Sequence, residues 1–289
     1  SEASKKIATL SRFNSLDGNF GAVLSVKNAD GDTQKALDVA ADELVEEALR
    51  SASVSAYISE ERDRGVILSD EGSILVACDP LDGSSNIDTN LTVGTIFSLL
   101  PYDEHSVLMR GDSQIAAGFF AYGPQTSLLL TLGHGVAAFC LDSTREFRRM
   151  NWQVTIPKTT SEFAINASNS RHWHQEISNY IDSLLAGKTG PRAQNFNMRW
   201  AGSLVADAFR IFRRGGIFLY PSDKRDGYET GRLRLVYEAN PIAFLVEQAG
   251  GSAHDGQTRI LEITPRELHQ RIPLIFGSAD EVDPLCKST

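Results

Sequence analysis

The residues best suited to chemistry lie in one run, Asp79-Pro80-Leu81-Asp82-Gly83-Ser84-Ser85-Asn86. Its two carboxylates, three residues apart, offer the hard oxygen donors that a small divalent cation prefers. Gly83, Ser84 and Ser85 follow at once, and peptide N–H groups there can approach a phosphate closely because glycine has no side chain in the way. A simple turn needs neither two acids nor two hydroxyls. The pairing therefore points to metal-assisted phosphate chemistry. Other acids stand in Glu60-Glu61, at Asp38 and at Glu238, which makes six acids in four segments. Taken singly these are bland: Glu60-Glu61-Arg62-Asp63-Arg64 reads as a solvated charge run.

Elements must carry these residues to one place. Ile74-Leu75-Val76-Ala77-Cys78 reads as a buried strand ended by Pro80 and Gly83, with both carboxylates at its C-terminal mouth. Asp32 to Leu49 places Leu37, Ala41, Leu44, Val45 and Ala48 on one helical stripe, with Asp32 as N-cap and Asp38 near the edge of the stripe. Apolar runs at Ser73–Cys78, Thr95–Leu100, Ile115–Tyr122, Ser127–Leu132 and Val136–Leu141, separated by turn residues, read as a sheet with antiparallel neighbours. The pattern loosens over Val154–Ser161, which places a domain boundary near residue 160, giving halves 1–160 and 161–289. The second half reads as strand Phe163–Ala167, helix His174–Leu185, helix Gly202–Phe212, strand Ile217–Tyr220, helix Pro241–Ala249 and strand Pro273–Phe276, a layered α/β order. Asn240-Pro241 suits a cap and first turn.

The bulk numbers exclude several classes. The chain of 289 residues is 42% hydrophobic, with 28 Lys and Arg against 37 Asp and Glu, a formal charge of −9. With no Lys/Arg-rich block, nucleic acid is a poor partner. Cys78, Cys140 and Cys286 are far apart, with no CxxC pair, which fits a reducing compartment better than a disulfide scaffold. No apolar stretch reaches the roughly 18–20 residues a membrane span needs, and Ser1 to Phe13 has no secretory-signal pattern. A cytoplasmic protein, without a nucleic-acid or membrane partner, is the expectation.

Asp79-Pro80-Leu81-Asp82-Gly83-Ser84-Ser85-Asn86-Ile87-Asp88 resembles the hallmark of the fructose-1,6-bisphosphatase family, class 1 type. Gly31-Asp32, Leu37-Asp38-Val39, Ser59-Glu60-Glu61, Gly215-Gly216-Ile217-Phe218-Leu219-Tyr220-Pro221, Leu233-Arg234-Leu235 and Tyr237-Glu238-Ala239-Asn240-Pro241 resemble that family in order. Inositol monophosphatases share the two-acid logic but usually carry a single Thr after the Gly, so Ser84-Ser85-Asn86 favours the bisphosphatase branch.

The resemblance implies the sugar-phosphatase fold, two stacked αβ domains in αβαβα layers. It implies Mg²⁺-dependent removal of the 1-phosphate of fructose 1,6-bisphosphate, in gluconeogenesis or the Calvin cycle. Two or three Mg²⁺ ions, with Mn²⁺ an option, would be held by Glu60, Asp79, the Leu81 carbonyl, Asp82 and Glu238. Asp38 and Glu61 would orient and deprotonate water, and Asp32 would help to hold the outermost ion and its loop. Asp82, Gly83, Ser84 and Ser85 would face the reacting phosphate. Asn169, Tyr220, Arg232, and Arg199 from a neighbouring subunit, would hold the other phosphate, with Trp200, Phe218, Leu219 and Arg234 alongside. For Arg234 a salt bridge on the strand face is an equal reading. The Arg199 role implies a homo-oligomer, at least a dimer and commonly a tetramer.

Departures from the family pattern matter. Arg232 stands where Lys is general and Trp200 where Tyr is general, which implies retained activity with altered affinity or tolerance of a longer sugar bisphosphate such as that of sedoheptulose. A silent regulatory relative is the reading from another class, and the intact acid set argues against it. Ser73 and Ile74 replace a Lys-Tyr pair of the family's AMP site, and the first of its N-terminal helices has no counterpart, so no such AMP site is expected. Gly187-Lys188-Thr189 lacks the P-loop glycine, Asp182 standing there. His172 and His174 would not share a helix face, His134 reads as a hairpin turn, and Phe209 and Phe212 read as core.

Overall fold

In the computed structural model residues 1–17, 23–27, 33–103 and 107–286 are described, with 13–17, 23–27 and 33–35 described by backbone alone. Asp32, expected to serve the site, lies outside the described residues; the expected helix from Asp32 is not observed, because Thr33–Lys35 is a strand and the helix begins only at Ala36. The helices are α1 (Glu2–Asp17), α2 (Ala36–Arg50), α3 (Gln175–Leu185), α4 (Leu204–Arg214), α5 (Asn240–Gln248) and α6 (Ala279–Val282). The expected stripe of α2 is buried at Leu37, Ala41 and Val45, and meets Tyr57, Val76 and Cys78. Helix α1 occupies a stretch in which apolar spacing marks no element. Its buried Ile7 and Ala8 join the same cluster, and that packing stabilises a largely polar helix that would be marginal alone.

Eight strands form the first sheet, in the order Phe147–Arg149, Val136–Leu141, Thr126–Thr131, Ala116–Tyr122, Val93–Pro101, Ile74–Asp82, Ala56–Ser59, Val66–Ile67. Neighbours are antiparallel except Ala56–Ser59, which runs parallel to Ile74–Asp82 with Ser59 opposite Cys78. The expected end of this strand at Pro80 is not observed, because the strand continues through a bulge to Asp82. Asp79 pairs with Ile96 and Asp82 with Gly94, so Pro80 and Leu81 together oppose Thr95. A bulge tolerates Pro80, which has no N–H to donate to the ladder, and Thr95 Oγ1 donates to its carbonyl at 2.8 Å. In a regular strand residues three apart face opposite sides; the extra residue restores the phase and lets both carboxylates face one side.

The second sheet runs Asn197–Met198, Glu162–Ile165, Ile217–Tyr220, Leu274–Gly277, Ser252–His254. Its first three strands are parallel and the last two pairings antiparallel. Helices α4 and α5 fill the space between the sheets: Ile211, Phe212, Ile242 and Leu245 share one core with Ile96, Phe119 and Leu129 of the first sheet and Phe218 and Phe276 of the second. Helices α3 and α6 cover the far face through Ile177, Ile181 and Val282. The layers are therefore α, β, α, β, α.

The expected Asn240 cap does not form. A π-helical turn, Leu235–Ala239, runs directly into α5, so Asn240 is already helical and buried while Pro241 keeps its place in the first turn. The Asn240 carbonyl instead accepts from Gln114 Nε2 at 3.0 Å.

Candidate metal centre and anion pocket

Strand register brings the acids together. The parallel pairing of Ser59 with Cys78 puts Glu60 beside Asp79, and the Glu60 N–H donates to the Cys78 carbonyl at 3.0 Å. Glu238 arrives from the π turn, its carboxylate folded back to accept the Arg234 N–H at 2.6 Å. Carboxylate oxygens of Asp79, Asp82 and Glu238 lie within 4.8 Å of one another, all three residues buried. Arg234, buried, pairs with Glu60 at 2.6 Å. Leu81 donates its N–H to Asp79 Oδ1 at 2.9 Å, which locks that carboxylate within the bulge.

Such crowding holds protons. Burial first, then the Glu238 charge, pushes Glu60 up to about 8, even with Arg234 opposing, and the Asp38 charge adds to the shift. Burial pushes Asp82 up to about 7, against the Val205 N–H. Glu238 rises to about 7, by burial and despite Arg234. Asp79 is raised well above the usual range by burial and then by Glu60, Asp82, Glu238 and Glu61. The charges of Asp38 and Glu61 also act on this cluster, on Glu60 and Asp79 respectively. A hard cation fits this donor set: it would replace the protons that crowding demands. Glu60 Oε2 is also buried without a hydrogen-bond partner among the described residues, a cost that coordination would remove.

The turn after Asp82 is held from the other half of the chain. Gly83 is left-handed, with φ of 77°, and opens the 3₁₀ turn Ser84–Thr89. Asn86 Nδ2 donates to the Gly202 carbonyl at 2.8 Å. Asp82 Oδ2 accepts the Val205 N–H at 3.2 Å, at the start of α4, where the helix dipole favours negative charge. Ser203 caps that helix through the Ala206 N–H at 3.3 Å. These contacts tie the Gly83-Ser84-Ser85 turn, which follows Asp82 directly, to the segment that opens α4.

A second pocket opens at the carboxyl ends of the parallel strands Glu162–Ile165 and Ile217–Tyr220, the usual ligand position in such sheets. Asn169, Leu219, Tyr220 and Arg232 line it together with Asp223, Arg225 and Tyr228. Trp200 stacks on Phe218, centroids 5.6 Å apart at 18°, and lies 6.0 Å from the Tyr220 ring, so the indole forms part of an aromatic stack beneath the pocket. Arg199 stands apart: its side chain is 53% exposed, beyond the short edge strand Asn197–Met198, with Glu162 at 3.9 Å.

Sequence reasoning missed several contributors. Tyr228 lies between two guanidiniums, Arg225 at 3.9 Å and Arg232 at 4.4 Å from its ring centroid, and Arg232 Nη1 donates to its hydroxyl. Asp223 holds Arg225 at 2.5 Å. The signal was a cluster of cations and an aromatic in a loop, Asp223 to Arg232. Ser203 and Val205 carried no sequence signal, since their part depends on the docking of α4.

Two packed sheets, a buried carboxylate cluster, and a pocket lined by Arg225 and Arg232 suit a hard cation and an anionic ligand. Residues 2–150 match the family described as fructose-1,6-bisphosphatase, N-terminal domain, and residues 156–289 its C-terminal domain. The chain belongs to the fructose-1,6-bisphosphatase family. It is 55% identical to the class 1 fructose-1,6-bisphosphatase of Azorhizobium caulinodans, over 97% of this chain and 88% of that one. Identity to a class 1 enzyme of Xanthobacter autotrophicus is 52%, over 98% and 89%. The holo form of Leishmania major fructose-1,6-bisphosphatase superposes with a TM-score of 0.92 at 37% identity, covering 98% of this chain and 90% of that chain. Its T-state superposes at 0.86. Among the described residues no helix is long and apolar enough to cross a membrane.

Proposed function

We propose that the chain hydrolyses the 1-phosphate of fructose 1,6-bisphosphate to give fructose 6-phosphate and phosphate. The observation that carries this reading is the convergence of buried Asp79, Asp82 and Glu238, with the Gly83-Ser84-Ser85 turn following Asp82 directly in the chain. Glu60, Asp79, the Leu81 carbonyl, Asp82 and Glu238 would hold two or three Mg²⁺ ions, or Mn²⁺. Bound there, such ions would supply an acidified water, polarise the phosphoryl oxygens and stabilise the leaving alkoxide. Asp38 and Glu61 orient the attacking water and take its proton. The Gly83, Ser84 and Ser85 amides hold the reacting phosphoryl group as the phosphorus–oxygen bond to C1 breaks. Arg234 keeps Glu60 in place through their 2.6 Å ion pair.

The phosphate that is not cut sits with Asn169, Tyr220 and Arg232, while Arg225, Tyr228 and Asp223 hold Arg232 and the pocket wall in place. Phe218, Leu219 and Trp200 form the apolar bed of the sugar. Arg199, exposed beyond an edge strand, reaches a neighbouring subunit's pocket, so the working unit is at least a dimer. Two domains divide near residue 160, between the end of the first sheet at Arg149 and the start of the second at Glu162. The protein acts in the cytoplasm, in gluconeogenesis or the Calvin cycle.

Phosphate release from fructose 1,6-bisphosphate tests the reading. Release should require Mg²⁺, stop with EDTA, and vanish in Asp79→Ala; undiminished release by that variant would overturn it.

A further inference from the structure

Arg62 closes the Glu60-Glu61 turn and reaches across to α2. Its Nε donates to Asp42 Oδ2 at 2.5 Å, and its Nη1 lies 2.6 Å from Glu46 Oε2. Asp42 is buried, and its other oxygen accepts from the Tyr57 hydroxyl at 2.8 Å. The Arg62 guanidinium lies 5.7 Å from the Tyr57 ring centroid, and its carbonyl is 3.0 Å from His269 Nε2. Two carboxylates, an aromatic face and a remote histidine thus converge on a residue that reads in sequence as part of a solvated charge run.

Asp38, Asp42 and Glu46 succeed one another at intervals of four residues, so they form a row on one face of α2. Arg62 grips the second and third members of that row, and Asp38 is the first. Along the chain Arg62 is adjacent to Glu61 and two residues from Glu60. Strand pairing sets Glu60 relative to Asp79, but it places nothing on α2. That helix meets the sheet largely through Leu37, Ala41 and Val45, apolar packing without direction. The Tyr57 hydroxyl gives one directional tie from the sheet to Asp42, and a forked guanidinium between two carboxylates adds the second, from the Glu60-Glu61 turn itself.

We propose that Arg62 is a positioning residue for the hydrolysis, acting through Asp42 and Glu46 to hold Asp38 against Glu60 and Glu61. The inference rests on the roles given to those three acids above. Steady-state kinetics, Mg²⁺ titration and thermal melting of Arg62→Ala, Arg62→Lys and Asp42→Asn test it. Arg62→Ala should lower kcat ~10- to 100-fold while KM for the sugar bisphosphate stays within about twofold, because a small misplacement of reacting groups is costly. Its half-saturating Mg²⁺ concentration should rise. Arg62→Lys should recover part of the loss, since an ammonium can meet one carboxylate but cannot span two. Asp42→Asn should lower kcat in the same sense, and the double variant should be no worse than Arg62→Ala, as expected of groups acting as a unit.

Arg259→Ala, which breaks an ion pair to Glu247 at 2.6 Å remote from the site, is the control; it should lower Tm and leave kcat unchanged. Should Arg62→Ala not fold, Arg62→Lys and Asp42→Asn carry the test. Full kcat in the folded Arg62 and Asp42 variants, with only Tm reduced, would overturn the proposal and make the network a structural brace. Asp79→Ala in parallel separates the two readings. If it abolishes turnover while the Arg62 and Asp42 variants keep theirs, the positioning role alone fails; if it keeps turnover, the hydrolytic reading fails and takes this inference with it.

Discussion

The two ends of the site are built on opposite electrostatic principles. At the acid end Glu60, Asp79, Asp82 and Glu238 are crowded and desolvated, and each is driven toward its protonated form. Arg234 pairs with Glu60 and the Arg271 charge also acts on Glu238, yet these guanidiniums do not balance four carboxylates. At the other end the charges are already arranged: Asp223 holds Arg225, and Tyr228 lies between Arg225 and Arg232. One end is incomplete without a cation, and the other is preorganised for an anion. A site divided in this way should separate turnover from affinity, because the acid end acts on the bond that breaks and the basic end on a group that stays.

The strongest attempt to break that division is Glu238→Gln, which keeps the shape of the cluster and removes one charge. Turnover should fall on the order of 10³-fold, comparable to the larger losses seen when one preorganised transition-state group is removed. KM should change little; a variant with normal kcat and raised KM would erase the distinction. Arg232→Ala probes the opposite end. Loss of a charge-assisted phosphate contact costs about 1.5–3 kcal/mol, so KM should rise ~10- to 100-fold with kcat nearly unchanged. A fall in kcat without a change in KM would place Arg232 with the reacting groups instead.

A subtler effect sharpens the comparison through pH. Glu60, near 8, and Asp82 and Glu238, near 7, stand above their ordinary values of 4.5, 3.8 and 4.5. Between these limits the folded metal-free chain binds more protons than the unfolded chain, so its stability falls as pH rises from about 5 to 8. Mg²⁺ takes the place of those protons. Thermal melting in EDTA and in Mg²⁺ should therefore show a Tm increase on metal addition that is larger at pH 8 than at pH 6. An increase of equal size at both would mean that the acid end is not under proton strain.

The sequence carried the reacting end more legibly than the rest. Asp79 to Asn86 combines donor types that have no other common use, so its chemistry could be read without coordinates. The Glu60-Glu61 pair was legible only beside it, because a solvated charge run and a pair of acids turned toward a site look alike until strand register is known. At the far end Asn169, Tyr220 and Arg232 were found by resemblance, whereas Arg225 and Tyr228 were not, since a polar loop carries no periodicity to say what it faces. Pro80 and Asn240 misled for a shared reason. Pro80 ordinarily ends a strand and Asn240 ordinarily caps a helix start, and here a bulge and a π turn, both irregular, absorb them.

By itself the sequence determined the donor atoms, most of the strands and helices, and the Gly-Ser-Ser turn after Asp82, because residue type and short spacing settle those matters locally. Only the tertiary structure decided that Asp79 and Asp82 face one side, that Glu60 lies beside them, that α4 caps Asp82 from the other half, and that Arg62 ties α2 to the acid turn. Those relations join segments up to 123 residues apart, and their geometry is set by register, bulge and packing rather than by any local preference.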